Sequence, residues 1–445
     1  MFERILIANR GEVAARVART CRRLGVETVG VHVTREEDSV HVEACDESIC
    51  LGDDPRVYRD AQTLVEAAAK AGARAVHPGY GLLADEPDFA QAIEEKGLIF
   101  VGPAAERFEH ARNRMAVRQV AIDAGVRVLP AGTTPILEPN DALAEVDAVG
   151  YPVVVKPVRG VGEPARLPVA PDVAALHEAL EGLAPLSDHA GAYLERWVDR
   201  ARHVEVQLVF DGTEALVLGD REVSLRKGDR RVLCESPAPA LDQLHHHDAV
   251  RGALWDASVE ITRTLGCRGL ASCHFLLDAD GVFHFVHFTP SLQVEHPTAE
   301  MCAGVDLVEM QLRLAAGEAM PEELWHVEST GASLQARVDA SMDPATGRPF
   351  ESRVELARWP PAPQGKVRIE TGIKMGSRVD PAHAPLVATV STYAPNRHDA
   401  LLMLDRILAE IHLHPLVTNL RLLRKALNHE SLQAGQYDDG FVDRL

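Results

Sequence analysis

The feature that most constrains the fold is the regular alternation of short β-branched segments with amphipathic stretches over the first 110 residues. After the first apolar segment, Val13, Val17, Cys21 and Leu24 recur at helical spacing, and Gly25 is the expected end of that helix. Such alternation predicts a parallel sheet with helices on both faces. No G-x-G-x-x-G sequence follows the first segment, so a dinucleotide site is not expected. The four segments expected to be strands are 3–8, 27–33, 74–79 and 98–103.

The pattern changes twice further along the chain. A helix at 113–126 leads into a small α+β segment at about 128–200, and from about 201 alternating strands are separated by Asp211-Gly212 and Asp280-Gly281 turns. The expected architecture is a mixed α/β and α+β chain with a Rossmann-like parallel sheet, a small lid and a large mixed C-terminal domain. The expected domains are residues 1–112, residues 113–330 with the lid at about 128–200, and residues 331–445.

Composition excludes several classes of partner. The 66 acidic residues outnumber the 46 basic ones and give a formal charge of −20, without a long run of either sign. Such a surface repels phosphate backbones, so neither nucleic acid nor an anionic membrane is an expected partner. The beginning of the chain lacks the pattern of a secretory signal, and no window is apolar enough for a membrane span. Seven cysteines without a C-x-x-C pair fit reduced thiols, and a cytoplasmic location is expected.

Six short sequences identify a resemblance that covers essentially the whole chain. In order and at similar spacing they resemble the biotin carboxylase component of acetyl-CoA and related acyl-CoA carboxylases, which are ATP-grasp enzymes. The resemblance implies that ATP lies between lid and body, with two Mg²⁺ ions, and that bicarbonate is activated to carboxylate biotin on a separate carrier protein. The six sequences are IANRGE (7–12), HPGYG (77–81), YPVVVK (151–156), RHVEVQ (202–207), SPAP (236–239) and LQVEHP (292–297).

The resemblance also implies roles for individual residues. Glu295 matches the general base, Arg337 the arginine that stabilises the biotin enolate, and Arg231 a lysine of the bicarbonate pocket. The residues that match ATP-binding positions are Lys156, Glu195, His203, Arg114 and Leu276. Those that match the bicarbonate and biotin pocket are Gln293, Val294 and Tyr80.

Other positions depart from the family pattern, and the departures cluster. His274 and His287 stand where the family has glutamates that bind magnesium, and Thr289 stands where it has an asparagine ligand. Ser291 replaces the arginine that holds bicarbonate. Because Mg²⁺ prefers oxygen ligands and imidazole is a poor substitute, we expect no magnesium site of the family type.

Departures also affect the expected phosphate-binding loop at 157–166, where backbone N–H groups of a glycine run would hold phosphate. Here Pro164 has no N–H, Val161 restricts the backbone, and Glu163 adds a negative charge. Further replacements are Arg226 for a glutamine, Asp229 for a histidine, Cys234 for one glutamate of a pair whose other member is Glu235, and HAPLVATV (383–390) for a segment with an acidic residue.

These losses favour a catalytically impaired pseudoenzyme that acts as a structural or regulatory subunit of an acyl-CoA carboxylase. Two alternatives are an active biotin carboxylase with a rearranged metal site and a repurposed ATP-grasp ligase. A narrower hypothesis is that His274 and His287 bind Zn²⁺ with Glu295 or Glu235; the contrasting interpretation is two neutral, hydrogen-bonded imidazoles.

The expected partners are a second copy of the chain or an active biotin carboxylase in a dimer, together with a biotin carboxyl carrier protein and a carboxyltransferase. The sequence His245-His246-His247 is interpreted as a solvated helix face.

Overall fold

The N-terminal part forms a five-stranded, fully parallel sheet in the order β3-β2-β1-β4-β5 with helices on both faces, as the alternating pattern predicts. This computed structural model describes residues 1–138, 141–159, 169–183, 191–228, 230–341, 352–382 and 384–445. Gly25 ends α1 in the left-handed conformation (φ 71°), as expected of a glycine after a helix. The elements are β1 Arg4–Ile7, α1 Gly11–Leu24, β2 Glu27–His32, α2 Val40–Ala44, β3 Glu47–Cys50, α3 Ala61–Lys70, β4 Ala75–His77, α4 Pro87–Glu95, β5 Ile99–Phe100 and α5 Ala105–Arg112.

A small lid follows and has a hydrophobic core of its own. Its antiparallel sheet has the order β7-β6-β8, and α7 and α8 pack against it through residues such as Val153, Leu176 and Leu194. Most of the expected phosphate-binding loop, including Val161, Glu163, Pro164 and Arg166, lies outside the described residues. The elements here are α6 Arg114–Asp123, α7 Asp141–Val149, β6 Val153–Pro157, β7 Val169–Ala170, α8 Val173–Leu183 and β8 Ala192–Arg196.

An eight-stranded antiparallel sheet organises the rest of the chain. Its order is β15-β14-β9-β10-β13-β16-β21-β19, so it continues across the domain boundary expected at residue 330. Asp211 and Asp280-Gly281 occupy the two expected hairpin turns. Up to that boundary the elements are β9 Arg202–Phe210, β10 Ala215–Glu222, β11 Arg226–Lys227, β12 Arg230–Arg231, β13 Leu233–Ser236, α9 Pro239–Asp242, α10 His247–Leu265, β14 Gly269–Leu277, β15 Phe283–Thr289, α11 His296–Ala303 and α12 Leu307–Ala315.

The C-terminal part contributes three strands to this sheet and packs helix α13 against it. Two further pairs of short strands, β17 with β20 and β18 with β22, lie outside the sheet. The elements are β16 Ala332–Asp339, β17 Ser352–Arg353, β18 Leu356–Arg358, β19 Val367–Thr371, β20 Arg378–Val379, β21 Leu386–Ala394, α13 Arg397–Ala409, β22 His412–His414, α14 Leu420–Leu427 and α15 Glu430–Gln433.

Buried contacts fix the N-terminal sheet to the large sheet. Ile5 and Val17 share a hydrophobic core with Val209 of β9 and Leu270 of β14. Beside that core, the buried guanidinium of Arg16 in α1 lies 2.9 Å from Glu300 and 2.8 Å from Asp306. These contacts hold the large sheet, and hence the site on its face, in a fixed position relative to the N-terminal domain.

Two expectations from composition concern the whole chain. All seven cysteines lie in the described ranges, and each has a free thiol. Among the helices that the structure describes, none has the length and apolarity that a bilayer crossing requires.

Candidate active site

Strand register places four polar side chains in one row across the large sheet. Arg221 on β10 pairs with Glu205 on β9, Glu205 pairs with His274 on β14, and His274 pairs with His287 on β15. Directly paired residues of an antiparallel sheet project from the same face, so the four side chains share one surface. The pairing of His274 with His287 agrees with the strand pairing expected from the sequence.

One side of this surface is a cluster of three arginines and two carboxylates, which we call the arginine cluster: Arg221, Arg231, Arg337, Glu205 and Glu295. Arg221 Nε and Arg231 Nη2 each lie 2.6 Å from an oxygen of Glu205. Arg231 also lies 3.4 Å from Glu295, which forms a second ion pair with Arg337. Each of the two carboxylates is therefore ion-paired with arginine.

The charges of the arginine cluster decide the protonation of its acids. Burial on its own would raise the pKa of both carboxyls, but the neighbouring guanidiniums reverse this effect. Arg231, then His274 and then Arg221 lower the pKa of Glu205 well below its ordinary value, and Arg337 and Arg231 lower that of Glu295. Both groups are therefore carboxylates at neutral pH, and three positive charges face two negative ones.

The other side of the surface, which we call the histidine side, consists of His203, His274, His287 and Thr289. His274 Nδ1 lies 3.0 Å from an oxygen of Glu205 and 3.3 Å from Nε2 of His203, and its Nε2 lies 2.9 Å from the Thr289 hydroxyl. The rings of His274 and His287 are 5.2 Å apart. Burial lowers the pKa of His274 despite the nearby Glu205 carboxylate, so its imidazole is neutral at pH 7.

Magnesium does not fit this arrangement. Mg²⁺ requires near-octahedral oxygen ligands at about 2.0–2.1 Å, and imidazoles occupy the two positions at which the sequence resemblance predicts glutamates. Of the described residues here, Glu205 and Glu295 are the remaining carboxylates, and both are ion-paired with arginine. Ser291, at the position of the bicarbonate arginine, donates a hydrogen bond to Asp85 at 2.5 Å.

The five residues that match ATP-binding positions line one pocket of about 140 Å³ between the lid and the large sheet. Ligand pockets usually have volumes of about 300–1,000 Å³, so this pocket is small. Within it, Lys156 forms an ion pair with Glu195, and Arg114 donates to the Pro157 carbonyl at 2.9 Å. The cation expected to contact phosphate and the carboxylate expected to face adenine thus bind each other. The five residues are Arg114, Lys156, Glu195, His203 and Leu276.

The residues expected around bicarbonate and biotin are divided between two places. The Gln293 side chain accepts a hydrogen bond from Arg221 and lies next to His274, and the Val294 carbonyl accepts one from Gln335 at 2.9 Å. Tyr80 instead lies on the wall of a separate cleft of about 920 Å³ between the N-terminal and C-terminal parts.

In that cleft the Tyr80 hydroxyl donates to Glu12 at 2.7 Å. Burial, together with the Glu12 carboxylate, raises the pKa of Tyr80 well above its ordinary value, so its hydroxyl is neutral at pH 7.

Two predictions from the sequence are wrong. Glu235 is not near the histidines: it accepts two hydrogen bonds from Arg397, at 2.6 and 3.0 Å, and one from Tyr437 at 2.5 Å. It follows Cys234 on β13, and consecutive strand residues face opposite sides of a sheet.

The histidine triplet is not a helix face, because α10 begins at His247 and the two preceding residues lie outside it. Asp229 and His383 lie outside the described residues.

Sequence reasoning missed Glu205 and Arg221 as members of the site. The available signal was the polar residue at every second position of RHVEVQ, namely His203, Glu205 and Gln207. All three are buried, which is unusual for polar side chains on one face of a strand and indicates a polar network. Arg221 contacts two of these side chains by hydrogen bonding to Glu205 and Gln207.

Comparisons with known proteins agree with this architecture. Residues 1–108 match the model of the biotin carboxylase N-terminal domain, residues 113–323 that of the carbamoyl-phosphate synthase L chain ATP-binding domain, and residues 335–444 that of the biotin carboxylase C-terminal domain. The chain is 36% identical to the biotin carboxylase of Pseudomonas aeruginosa over 100% of its own length and 98% of that protein. It is 34% identical to the mitochondrial methylcrotonoyl-CoA carboxylase subunit alpha of Glycine max, of which it covers 60%.

Solved structures are similar over the whole chain. The biotin carboxylase domain dimer of the Hydrogenobacter thermophilus 2-oxoglutarate carboxylase, solved with MgADP, ADP and bicarbonate, matches with a TM-score of 0.92 and 27% identity over 100% of this chain and 98% of that one. The Campylobacter jejuni biotin carboxylase in complex with β,γ-ATP matches with a TM-score of 0.92 and 26% identity, over 100% of this chain and 99% of that one.

Proposed function

Since this chain belongs to the biotin carboxylase family, we propose that it is a member without carboxylation activity that serves as a structural or regulatory subunit of an acyl-CoA carboxylase. The family reaction needs metal ions to neutralise the triphosphate and to position the transferred phosphoryl group. Loss of the metal ligands therefore affects the first chemical step, before bicarbonate or biotin is involved.

The observation that carries the proposal is the environment of His274. This residue, at a family magnesium-ligand position, has its two ring nitrogens directed at Glu205 and His203 on one side and at Thr289 on the other. The nearby carboxylates Glu205 and Glu295 are already ion-paired with guanidinium groups. A magnesium ion would have to displace these contacts without gaining a carboxylate of its own.

Two further contacts support the loss of substrate binding. The bicarbonate arginine is replaced by Ser291, which lacks a charge and is held by Asp85. Lys156 and Glu195 satisfy each other inside the small pocket, so a nucleotide would have to break a buried ion pair before it could bind.

The proposed partners follow from the relatives. The structure from Hydrogenobacter thermophilus is described as a dimer, and the protein from Glycine max is named as the alpha subunit of a carboxylase. By analogy this chain pairs with itself or with an active biotin carboxylase in the cytoplasm, next to a carboxyltransferase and a separate carrier protein that holds the biotin.

Bicarbonate-dependent ADP release tests the proposal directly. The full chain is incubated with Mg-ATP, bicarbonate and either free biotin or a biotinylated carrier, and the Pseudomonas aeruginosa relative is assayed in parallel. Because loss of a single electrostatic contact commonly lowers kcat by about 10²–10³-fold, we expect a rate at least that far below the relative's. A rate equal to the relative's would overturn the proposal.

An active biotin carboxylase with a rearranged metal site is the second candidate. The intact pairing of Glu295 with Arg337 and the five residues gathered around the small pocket favour it. The two candidates differ in ligand binding: the active enzyme would be stabilised against thermal unfolding by Mg-ATP in a concentration-dependent way, whereas the impaired subunit would not. ATP tested with EDTA in place of magnesium separates nucleotide binding from metal binding.

A further inference from the structure

The histidine side of the site contains three metal-binding groups that come from two neighbouring strands. His203, Glu205 and His274 each offer one ligand atom, and these atoms all lie within 4.8 Å of one another. The three side chains are buried, with exposures of 5%, 0% and 0%. The set differs from the one predicted from the sequence, because His287, Glu295 and Glu235 are not members of it and Glu205 and His203 are.

The spacing of these atoms matches a tetrahedral metal ion of intermediate softness. Zinc binds imidazole nitrogen and carboxylate oxygen at about 2.0–2.2 Å, which places neighbouring tetrahedral ligands about 3.3–3.5 Å apart. Here His274 Nδ1 is 3.0 Å from Glu205 Oε1 and 3.3 Å from His203 Nε2. An outward shift of a few tenths of an ångström would admit such an ion, whereas octahedral magnesium has too few oxygens available.

The carboxylate oxygen in this set lies between a guanidinium and an imidazole. Glu205 Oε1 lies 2.6 Å from Arg231 Nη2 and 3.0 Å from His274 Nδ1, but it has no hydrogen bond of normal direction although it is fully buried. The ion pair with Arg231 accounts for the burial of this oxygen, and a metal ion bound to Glu205 would replace that contact. Arg221 holds the other oxygen at 2.6 Å, so it fixes the orientation of the carboxylate.

The surroundings also orient the imidazole. Thr289 lies 2.9 Å from Nε2 of His274, so with the proton on Nε2 the ring donates to the hydroxyl and directs the Nδ1 lone pair toward His203 and Glu205. Metal-binding histidines usually donate their other ring N–H in this way. Arg231 also has Glu295 as a partner at 3.4 Å, so its charge remains compensated when Glu205 turns toward a metal.

We propose that His203, Glu205 and His274 form a binding site for a divalent metal ion of intermediate softness, best suited to Zn²⁺. Zinc sites with three protein ligands take water as the fourth ligand. This proposal concerns metal binding and not carboxylation, so it can be tested without reference to the proposed function.

The experiment uses the full chain, purified without a polyhistidine tag and without chelator. The protein is then dialysed against a small molar excess of ZnCl₂. Bound zinc is measured by inductively coupled plasma mass spectrometry. The exposed His245-His246-His247 sequence could bind zinc adventitiously, so a variant with all three changed to Ala is the matched control. The test variants are His274→Gln and His203→Gln, which keep hydrogen-bonding groups of similar size, and folding is checked by circular dichroism.

We expect one zinc per chain in the unchanged protein and in the triplet variant, and none in either Gln variant. Thr289→Val should weaken zinc binding by about 10–100-fold, because it removes the group that orients His274. The proposal would be overturned if the triplet variant bound no zinc. It would also be overturned if the unchanged protein bound no zinc at micromolar concentration. If a Gln variant fails to fold, Co²⁺ added to the unchanged protein decides: a tetrahedral visible spectrum supports the site, and its absence refutes it.

Discussion

The arginine cluster and the histidine side meet at Glu205, but they differ in how they are stabilised. On the arginine side, ion pairs at 2.6 Å join Glu205 to Arg221 and Arg231, so removal of any member leaves a buried charge. On the histidine side, the contacts are those of the His274 imidazole with a hydroxyl and with a second imidazole. One side therefore depends on charge balance and the other on hydrogen bonds.

Under the proposed function, the difference explains how a site of this family could lose its metal ligands and keep its fold. If His274 and His287 replace two glutamates, as the family resemblance implies, two negative charges are absent from the sheet surface while the arginine cluster keeps its own carboxylates. The buried network that joins the strands thus survives, while the side that would bind cations becomes neutral.

Removing the charge that the two sides share should have the largest effect. Glu205→Gln leaves Arg221 and Arg231 buried beside a neutral amide, and breaking a buried ion pair in this way commonly costs about 3–5 kcal/mol in the free energy of unfolding. Urea denaturation measures the change. Glu27→Gln, which removes the exposed partner of Arg4, is the control and should change stability little. Equal effects of the two substitutions would mean that the cluster does not stabilise the fold.

Introducing the metal ligands that the family resemblance implies should create a response to magnesium. In a variant with His274→Glu, His287→Glu and Thr289→Asn, two carboxylates face each other across paired strands. We expect Mg²⁺ at about 100 times its Kd to stabilise this variant by about 2.7 kcal/mol. Thermal unfolding with and without Mg²⁺ measures the effect, and the unchanged protein should not respond.

The control for that variant carries Gln, Gln and Asn at the same three positions, so it has the same shape without the charges. If the control responded to Mg²⁺ as strongly as the variant with glutamates, the role assigned to the lost carboxylates would be incorrect.

Acidification should weaken the histidine side before the arginine side. Burial lowers the folded-state pKa of His274 below its ordinary value of 6.5, so the unfolded chain takes up this proton first and stability falls as the pH drops below 6.5. The lowered pKa of Glu205 stabilises the fold above about pH 4.5, and that contribution is lost only at lower pH. Between pH 6.5 and 5, the effect of His274 on stability is therefore separated from that of Glu205.

Urea denaturation of the unchanged protein and of His274→Gln, both in EDTA, measures this effect. The difference in unfolding free energy between them should change by up to about 1.4 kcal/mol per pH unit in that interval. Burial also lowers the pKa values of His41 and His296, each to about 4, but these residues are common to both proteins and cancel. A constant difference between pH 7 and 5 would contradict the assignment.

Whether a contact in this site could be predicted from the sequence depended on how many residues separate its two strands along the chain. His274 and His287 lie on strands joined by a short turn at Asp280-Gly281, so their pairing could be inferred from local pattern alone. The contact of Glu205 with His274 joins strands about seventy residues apart, and local pattern does not determine such register. The roles carried over from family resemblance remain predictions about chemistry.

The wrong placement of Glu235 has a similar physical cause. It is adjacent in sequence to Cys234, whose thiol contacts Gln335 on the next strand, and the strand period of two sends the Glu235 side chain to Arg397 on α13. The fold class, in contrast, followed from features that repeat along the chain, such as the alternation that produces the parallel sheet. Repeated patterns constrain a fold more firmly than any single residue constrains a site.

The smallest effect should come from the hydroxyl that completes the histidine side. Thr289→Val keeps the shape of the side chain but leaves Nε2 of His274 without its partner at 2.9 Å, and loss of one hydrogen bond to a buried group costs about 1–3 kcal/mol. We expect the low end of this range, about 1 kcal/mol. Urea denaturation at pH 8 measures it, and Thr289→Ser, which keeps the hydroxyl, should retain most of the stability. If Ser destabilised the fold more than Val, the methyl group and its packing would be the stabilising element, and the division between a charged side and a hydrogen-bonded side would need revision.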